Sequence, residues 1–183
     1  MRYEVIIAGT GGQGIILAGT IVGTAVAVHQ GMEATQISSY GPEARGGLVY
    51  TELVLSDRYV DYPRALRPDA LVAMSQWAYD EFSGLVKRGG LIIYDPDLVE
   101  PEGAPEGVGL FAVPATRLAE EEVGLKLSAN MVMLGALTAL CDMLDAESME
   151  KAIRDRVRRS LEENLRAFRL GLELGRELRG RRS

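Results

Sequence analysis

Val5-Ile-Ile-Ala-Gly-Thr-Gly-Gly-Gln-Gly14, continuing into Ile15-Ile-Leu-Ala-Gly-Thr-Ile-Val22, is the stretch on which the fold class turns. An apolar run, a glycine-rich turn and a second apolar run of helical length form the βα order that cradles phosphate. The glycines allow positive φ and close backbone approach, and the helix start offers unpaired N–H groups to an anion. Gly9, Gly11, Gly12, Gln13 and Gly14 are therefore the candidate anion- or cofactor-binding residues. The spacing Gly9-x-Gly11-x-x-Gly14 matches the dinucleotide fingerprint. That fingerprint also asks for an acid at the end of the second strand, where this chain reads Ile37-Ser-Ser-Tyr40, with Glu33 at the strand's beginning. A tight βα turn without a ligand satisfies the same spacing.

Outward from this turn, Tyr3 to Ala8 reads as a strand buried on both faces, since it lacks polar alternation. Gln13 to about Gln30 reads as a helix. Its Gly19 and Gly23 indicate tight packing against a sheet, and Gly31 ends it. His29, the only histidine, stands at the helix end, where it caps carbonyls or faces solvent. Glu33 to Ser39 and Leu48 to Leu55 follow as strands joined by a short loop without a helix, which favours an antiparallel pair. Tyr59 to Tyr62 is expected as a short edge strand. Ala70 to Met74, Leu91 to Tyr94 and Gly109 to Val113 complete the sheet, with a helix from Gln76 to Lys87 and a short one from Thr116 to Val123. Residues 98–107, rich in Pro, Glu and Gly, read as an exposed loop. Ser128 is expected to cap a core helix from Ala129 to Leu144. Its methionines and Cys141 read as packing, and Glu147 to Leu178 forms one long amphipathic helix or two. The expected architecture is α/β, three layers in the order α/β/α. The sheet is Rossmann-like, mixed and mostly parallel, with a helical C-terminal segment. A single domain is expected over 1–183, with an α/β core at 1–127 and C-terminal helices at 128–183.

Composition narrows the function classes. Apolar residues make up 47% and charged residues 25%, within the globular range. No apolar run reaches membrane-spanning length, and the strand begins too early for a signal peptide. One cysteine cannot close an internal disulfide or hold an iron–sulfur cluster alone. A cytoplasmic location is expected. The net charge of −6 conceals a basic end: residues 151–183 hold eleven basic and five acidic residues. Their alternating signs and lack of interleaved aromatics fit a solvated or partner-facing helix rather than a nucleic-acid surface. Nucleic acid and membrane are not expected partners.

A second loop stands out. Tyr40-Gly-Pro-Glu-Ala-Arg-Gly-Gly47 packs an aromatic, an acid, an arginine and three glycines into eight residues. Tyr40, Gly41, Pro42, Glu43, Arg45, Gly46 and Gly47 are the candidate subunit-interface or active-site-edge residues. Glu43 and Arg45 can pair with each other, or Arg45 can fork onto a phosphate or carboxylate. No nucleophile–base pair, metal cluster or carboxylate dyad is legible, so no catalytic residue and no metal ligand is assigned.

The two loops, together with Leu17-Ala-Gly19, Asp61-Tyr-Pro63, Leu71-Val-Ala-Met-Ser75 and Asn130-Met-Val-Met-Leu-Gly135, resemble the gamma subunit of 2-oxoacid:ferredoxin oxidoreductases. The resemblance implies an accessory part of a multisubunit complex that oxidatively decarboxylates a 2-oxoacid to acyl-CoA and reduces ferredoxin. Among the substrates, 2-oxoglutarate fits a short separate chain of this form best. Thiamine diphosphate, Mg and the iron–sulfur clusters would lie on the alpha, beta and, where present, delta subunits, with none bound by this chain alone. Both loops would then meet the alpha subunit, with coenzyme A as a contact, and Arg45→Ala would lower turnover or CoA affinity. Two other readings stay open: a free-standing dinucleotide-binding oxidoreductase, and a regulatory or binding protein of the same fold. A homodimer of the isolated chain is also left open.

Overall fold

The computed structural model describes residues 1–40 and 47–181. Its sheet has six strands: β1 (Arg2–Thr10), β2 (Glu33–Tyr40), β3 (Leu48–Ser56), β4 (Ala70–Ala73), β5 (Leu91–Tyr94) and β6 (Gly109–Ala112). Their spatial order is β2-β3-β1-β4-β5-β6. Only β3 runs against the others, pairing antiparallel with β1 and β2, while β1, β4, β5 and β6 pair in parallel. The short β2–β3 connection dictates that reversal, since a parallel pair needs a longer crossover.

Strand parity divides the core. Val5, Ile7, Leu53, Leu55, Val72 and Ile93 face helices α1 (Ile15–Thr24), α4 (Ala129–Leu140), α5 (Ala146–Arg156) and α6 (Leu161–Gly180). Ile6, Ala8, Leu71 and Ile92 face the other way, onto Ala78, Tyr79 and Phe82 of α2 (Gln76–Phe82). The result is the three-layer α/β/α, Rossmann-like arrangement expected from the sequence.

α1 approaches the β2–β3 pair closely at Gly19, where an added Cβ would lie 2.6 Å from Thr51. Gly23 has open space instead, so the tight packing expected there is absent. The last turn, Ala25–His29, widens to π geometry, and His29 Nε2 lies 2.6 Å from Asp155 Oδ2 of α5. α4 and α6 cross backbone to backbone. A Cβ on Gly135 would sit 2.0 Å from the Phe168 carbonyl oxygen, and one on Gly171 1.8 Å from that of Val132.

Several expectations need correction. Residues 59–62 form no strand. Segment 57–69 is instead a strap held by side chains: Arg64 donates to both carboxylate oxygens of buried Glu52, at 2.9 and 2.8 Å, and Ala65 N donates to the same group. Buried Glu4 accepts from Arg67 N, and Arg2 donates to the Tyr62 and Arg64 carbonyls. α2 stops at Phe82 and continues only as a 3₁₀ turn over Ser83–Leu85. α3 (Ala115–Leu118) likewise gives way to a π turn at Ala119–Val123. Ser128 does not cap α4: its hydroxyl donates to the Leu125 carbonyl. α4 ends at Leu140, and Cys141 is extended and buried, its thiol pushed up to about 11 by desolvation. The C-terminal segment takes the second of the two expected arrangements, two helices broken at Val157–Ser160. Among the described residues no helix is long and apolar enough to cross a membrane.

Candidate functional site

The chain leaves β1 toward α1 on one face and β4 toward α2 on the other, so the β1/β4 junction is a switch point. In open α/β sheets ligands collect in the crevice beyond the strand ends at such a point. The glycine turn occupies it. Gly12 and Gly14 take φ of +88° and +71°, conformations that a side chain would strain. Gln13 holds the turn closed: its Oε1 accepts from Thr10 N at 2.7 Å and its Nε2 donates to the Met74 carbonyl at 2.8 Å, tying β1 to the end of β4. A Cβ on Gly9 would lie 2.2 Å from that Oε1. α1 begins with no side-chain cap and no acid in its first turn, so its N-terminal amides face outward unneutralised.

The structure brings both ends of the second loop, Tyr40 and Gly47, to the glycine turn. Gly11 N donates to the Gly47 carbonyl at 2.8 Å, and Tyr40, 72% exposed, borders a hollow of about 180 Å³ with Gly11, Gly14 and Leu17. Gly41, Pro42, Glu43, Arg45 and Gly46 lie outside the described residues. Glu33 stands at the opposite end of β2, beside Ser56 and far from the turn, so it cannot act as a ribose-holding acid.

Gly12 borders two further hollows. One, of about 360 Å³, is mainly apolar, with Gln13, Met74, Leu98, Leu127 and Lys126 around it. Its wall is set by fully buried Asp95, which accepts from Asp97 N and Thr116 N and so fixes the turn after β5 against α3. The other, of about 410 Å³, runs between the glycine turn and the α5–α6 connection, bordered by Asn130, Arg156, Arg158 and Arg159. Asn130 donates to the Gly14 carbonyl at 3.1 Å, which explains why Gly14 tolerates no Cβ. Arg156 donates to Thr24 Oγ1, whereas Lys126, Arg158 and Arg159 have no carboxylate partner among the described residues. Ser160, the residue before α6, holds φ +53°, rare for a side-chain-bearing residue.

The arrangement is a surface of backbone amides, and of cations without a carboxylate partner among the described residues, around an apolar hollow, chemistry suited to a phosphorylated ligand with an apolar arm. It holds no nucleophile–base pair among the described residues. Groups of three or more His, Cys, Asp or Glu able to hold a metal are absent among the described residues. Sequence reasoning located the turn but gave no place beside it to Lys126, Leu127, Asn130, Asp95 or the arginines of the basic C-terminal segment. The run Arg156-Val-Arg-Arg159 was the one available signal.

Comparison with known proteins gives a consistent result. The pyruvate ferredoxin/flavodoxin oxidoreductase family matches residues 4–174. The 2-oxoglutarate synthase subunit KorC of Methanocaldococcus jannaschii is 50% identical over 180 residues, covering 97% of this chain and 96% of its own length. The ketoisovalerate oxidoreductase subunit VorA of Methanothermobacter thermautotrophicus is 37% identical, and there the match spans 37% of the relative. Among solved structures, the keto/oxoacid ferredoxin oxidoreductase gamma subunit of Geobacter sulfurreducens superposes with a TM-score of 0.84 at 39% identity, over 96% of this chain and 99% of that one. A 2-oxoglutarate:ferredoxin oxidoreductase of Magnetococcus marinus, solved with 2-oxoglutarate, coenzyme A and succinyl-CoA, gives 0.85 at 28% identity, over 96% of this chain and 31% of that one.

Proposed function

Since the chain belongs to the pyruvate ferredoxin/flavodoxin oxidoreductase family, and resembles its gamma subunits along nearly its whole length, we propose that it is the gamma subunit of a 2-oxoglutarate:ferredoxin oxidoreductase. The observation that carries the substrate choice is the 50% identity to a 2-oxoglutarate synthase subunit over 97% of the chain. The reaction is the oxidative decarboxylation of 2-oxoglutarate with CoA, giving succinyl-CoA, carbon dioxide, a proton and two electrons that reduce ferredoxin. Thiamine diphosphate on the partner subunits supplies the carbanion chemistry.

This chain's share is binding and orientation. The glycine-turn end docks onto the thiamine-bearing alpha and beta subunits, and its cations draw in the anionic co-substrate. Arg158, Arg159 and Lys126 suit the phosphates of CoA, supported by the amides at the start of α1. The hollow beside Met74, Leu98 and Leu127 suits the pantetheine arm. Exposed Leu127, Leu98, Leu17 and Tyr40 around these cations make a mixed apolar and basic face, which fits an interface that closes over a ligand.

The test is steady-state kinetics of the assembled complex carrying Arg158→Ala and Arg159→Ala. A several-fold rise in KM for CoA, with KM for the 2-oxoacid unchanged, is expected. An unchanged KM for CoA would remove this face from CoA binding.

A further inference from the structure

Leu127 is 73% exposed, yet it stands on a short 3₁₀ turn, Lys126–Ser128, that is pinned on both flanks. Before it, the Leu125 amide donates to the Ala119 carbonyl, and the Leu125 side chain packs against the core. After it, buried Ser128 donates to the Leu125 carbonyl through its amide at 2.9 Å and its hydroxyl at 2.7 Å. A single exposed leucine needs no explanation, so its place decides the matter. Leu127 and Gly12 both border the apolar hollow, and both border the basic one. The two residues therefore form the saddle between the hollows. Gly12 brings no side chain to it, and a Cβ added there would meet nothing within 4 Å. A ligand that uses both hollows has to pass the Leu127 side chain.

We infer that Leu127 is the specificity-determining residue for the pantoyl unit of coenzyme A, packing on its geminal methyl pair. The assignment rests on the reading that CoA lies along this face, and it names the residue that reads one group of it. In CoA the carbon bearing the two methyls is one methylene away from the pyrophosphate ester oxygen, and both amides and the thiol lie beyond it. With the phosphates at Arg158 and Arg159 on one side of the saddle and the arm beside Met74 and Leu98 on the other, the branched carbon falls at the junction. Methyls that leave water against a leucine there add to binding in proportion to the area covered. A dinucleotide laid along the same path would set a ribose and its hydroxyls against that leucine, and polar groups covered without a partner weaken binding.

The test assays the assembled complex with CoA and with desdimethyl-CoA, which lacks both geminal methyls and keeps the phosphates, amides and thiol. Wild type is expected to prefer CoA by about tenfold in kcat/KM, the worth of two buried methyls. Leu127→Ala should lose most of that preference, because KM rises for CoA and hardly moves for the analogue. Leu127→Met, apolar and of similar volume, should restore it. A wild type that does not distinguish the two thiols overturns the inference, as does a Leu127→Ala complex that keeps the full preference. Equal losses on both thiols overturn it too, since they mark a leucine that only docks a partner subunit. The variant carrying Arg158→Ala and Arg159→Ala separates the two levels. If its KM for CoA is unchanged, CoA leaves this face and the Leu127 assignment goes with it. If its KM rises while Leu127→Ala still prefers CoA as wild type does, the Leu127 assignment alone is wrong.

Discussion

Gln13 does structural work inside a turn whose glycines attract the eye. Its amide is spent on Thr10 N and the Met74 carbonyl, so it binds β1 to the end of β4 at the switch point of the sheet. Gln13→Ala removes both bonds in a partly buried place and should cost about 1–2 kcal/mol, read from the urea midpoint at unchanged slope. An unchanged midpoint would show that the glycines alone hold the turn. The turn itself was legible because its signal is local, with glycine spacing between two apolar runs. The partners of Gly14 were not, since Asn130 lies more than a hundred residues away and looks like any polar residue at a helix start. Gly12 and Gly14 line the site through backbone geometry, whereas Gln13 supports it through its side chain.

At the scale of elements, α4 and α6 pack backbone against backbone. Gly135 and Gly171 let the two backbones touch, and Gly175 does the same against Ala136 and Ala139. Gly171→Ala drives a Cβ into the Val132 carbonyl and should destabilise by about 3 kcal/mol or more. Gly23→Ala, in the interior of α1 with open space around it, should stabilise by about 0.5–1 kcal/mol. Thermal unfolding of the pair checks both signs, and equal effects would refute the packing argument. α5 is held by its acids. Asp145 accepts from Ser148 N and Oγ at its N-terminus, and Glu150 forks onto Arg169 of α6. These hydrogen bonds, to Ser148 and to Arg169, hold both carboxyls below the usual carboxylate range. Carboxyls depressed in the folded state add stability above their ordinary values and lose it as pH falls through the lowered ones. Unfolding curves should therefore show α5 contributing fully at neutral pH and weakening below about pH 4, with Asp145→Ala blunting that acid sensitivity. Strand positions and the β3 reversal were legible from apolar runs and loop length. The strap at 57–69 was not, because buried Glu4 and Glu52 hold it through side chains and no strand periodicity records that.

For the molecule as a whole, charge and topology point at the same end. A chain with a net charge of −6 gathers Lys126, Arg158 and Arg159, which have no carboxylate partner among the described residues, beside an uncapped helix start and exposed Leu17, Tyr40, Leu98 and Leu127. The basic surplus of residues 151–183 was legible as a solvated or partner-facing helix. Its convergence on the glycine turn was not, because it depends on α5 and α6 packing beside α1, which only the tertiary fold supplies. On the proposed reading the chain offers a docking and anion-gathering face, and that face holds no nucleophile–base pair among the described residues, which fits a subunit that completes a site built elsewhere.

The most direct measurement is an anaerobic pull-down of the tagged full chain from its native host, with the eluate assayed for viologen reduction dependent on a 2-oxoacid and CoA. Co-elution of thiamine- and cluster-bearing subunits, with 2-oxoglutarate the preferred substrate, is the predicted result. An eluate holding this chain alone, or an activity that prefers another 2-oxoacid, would contradict the account.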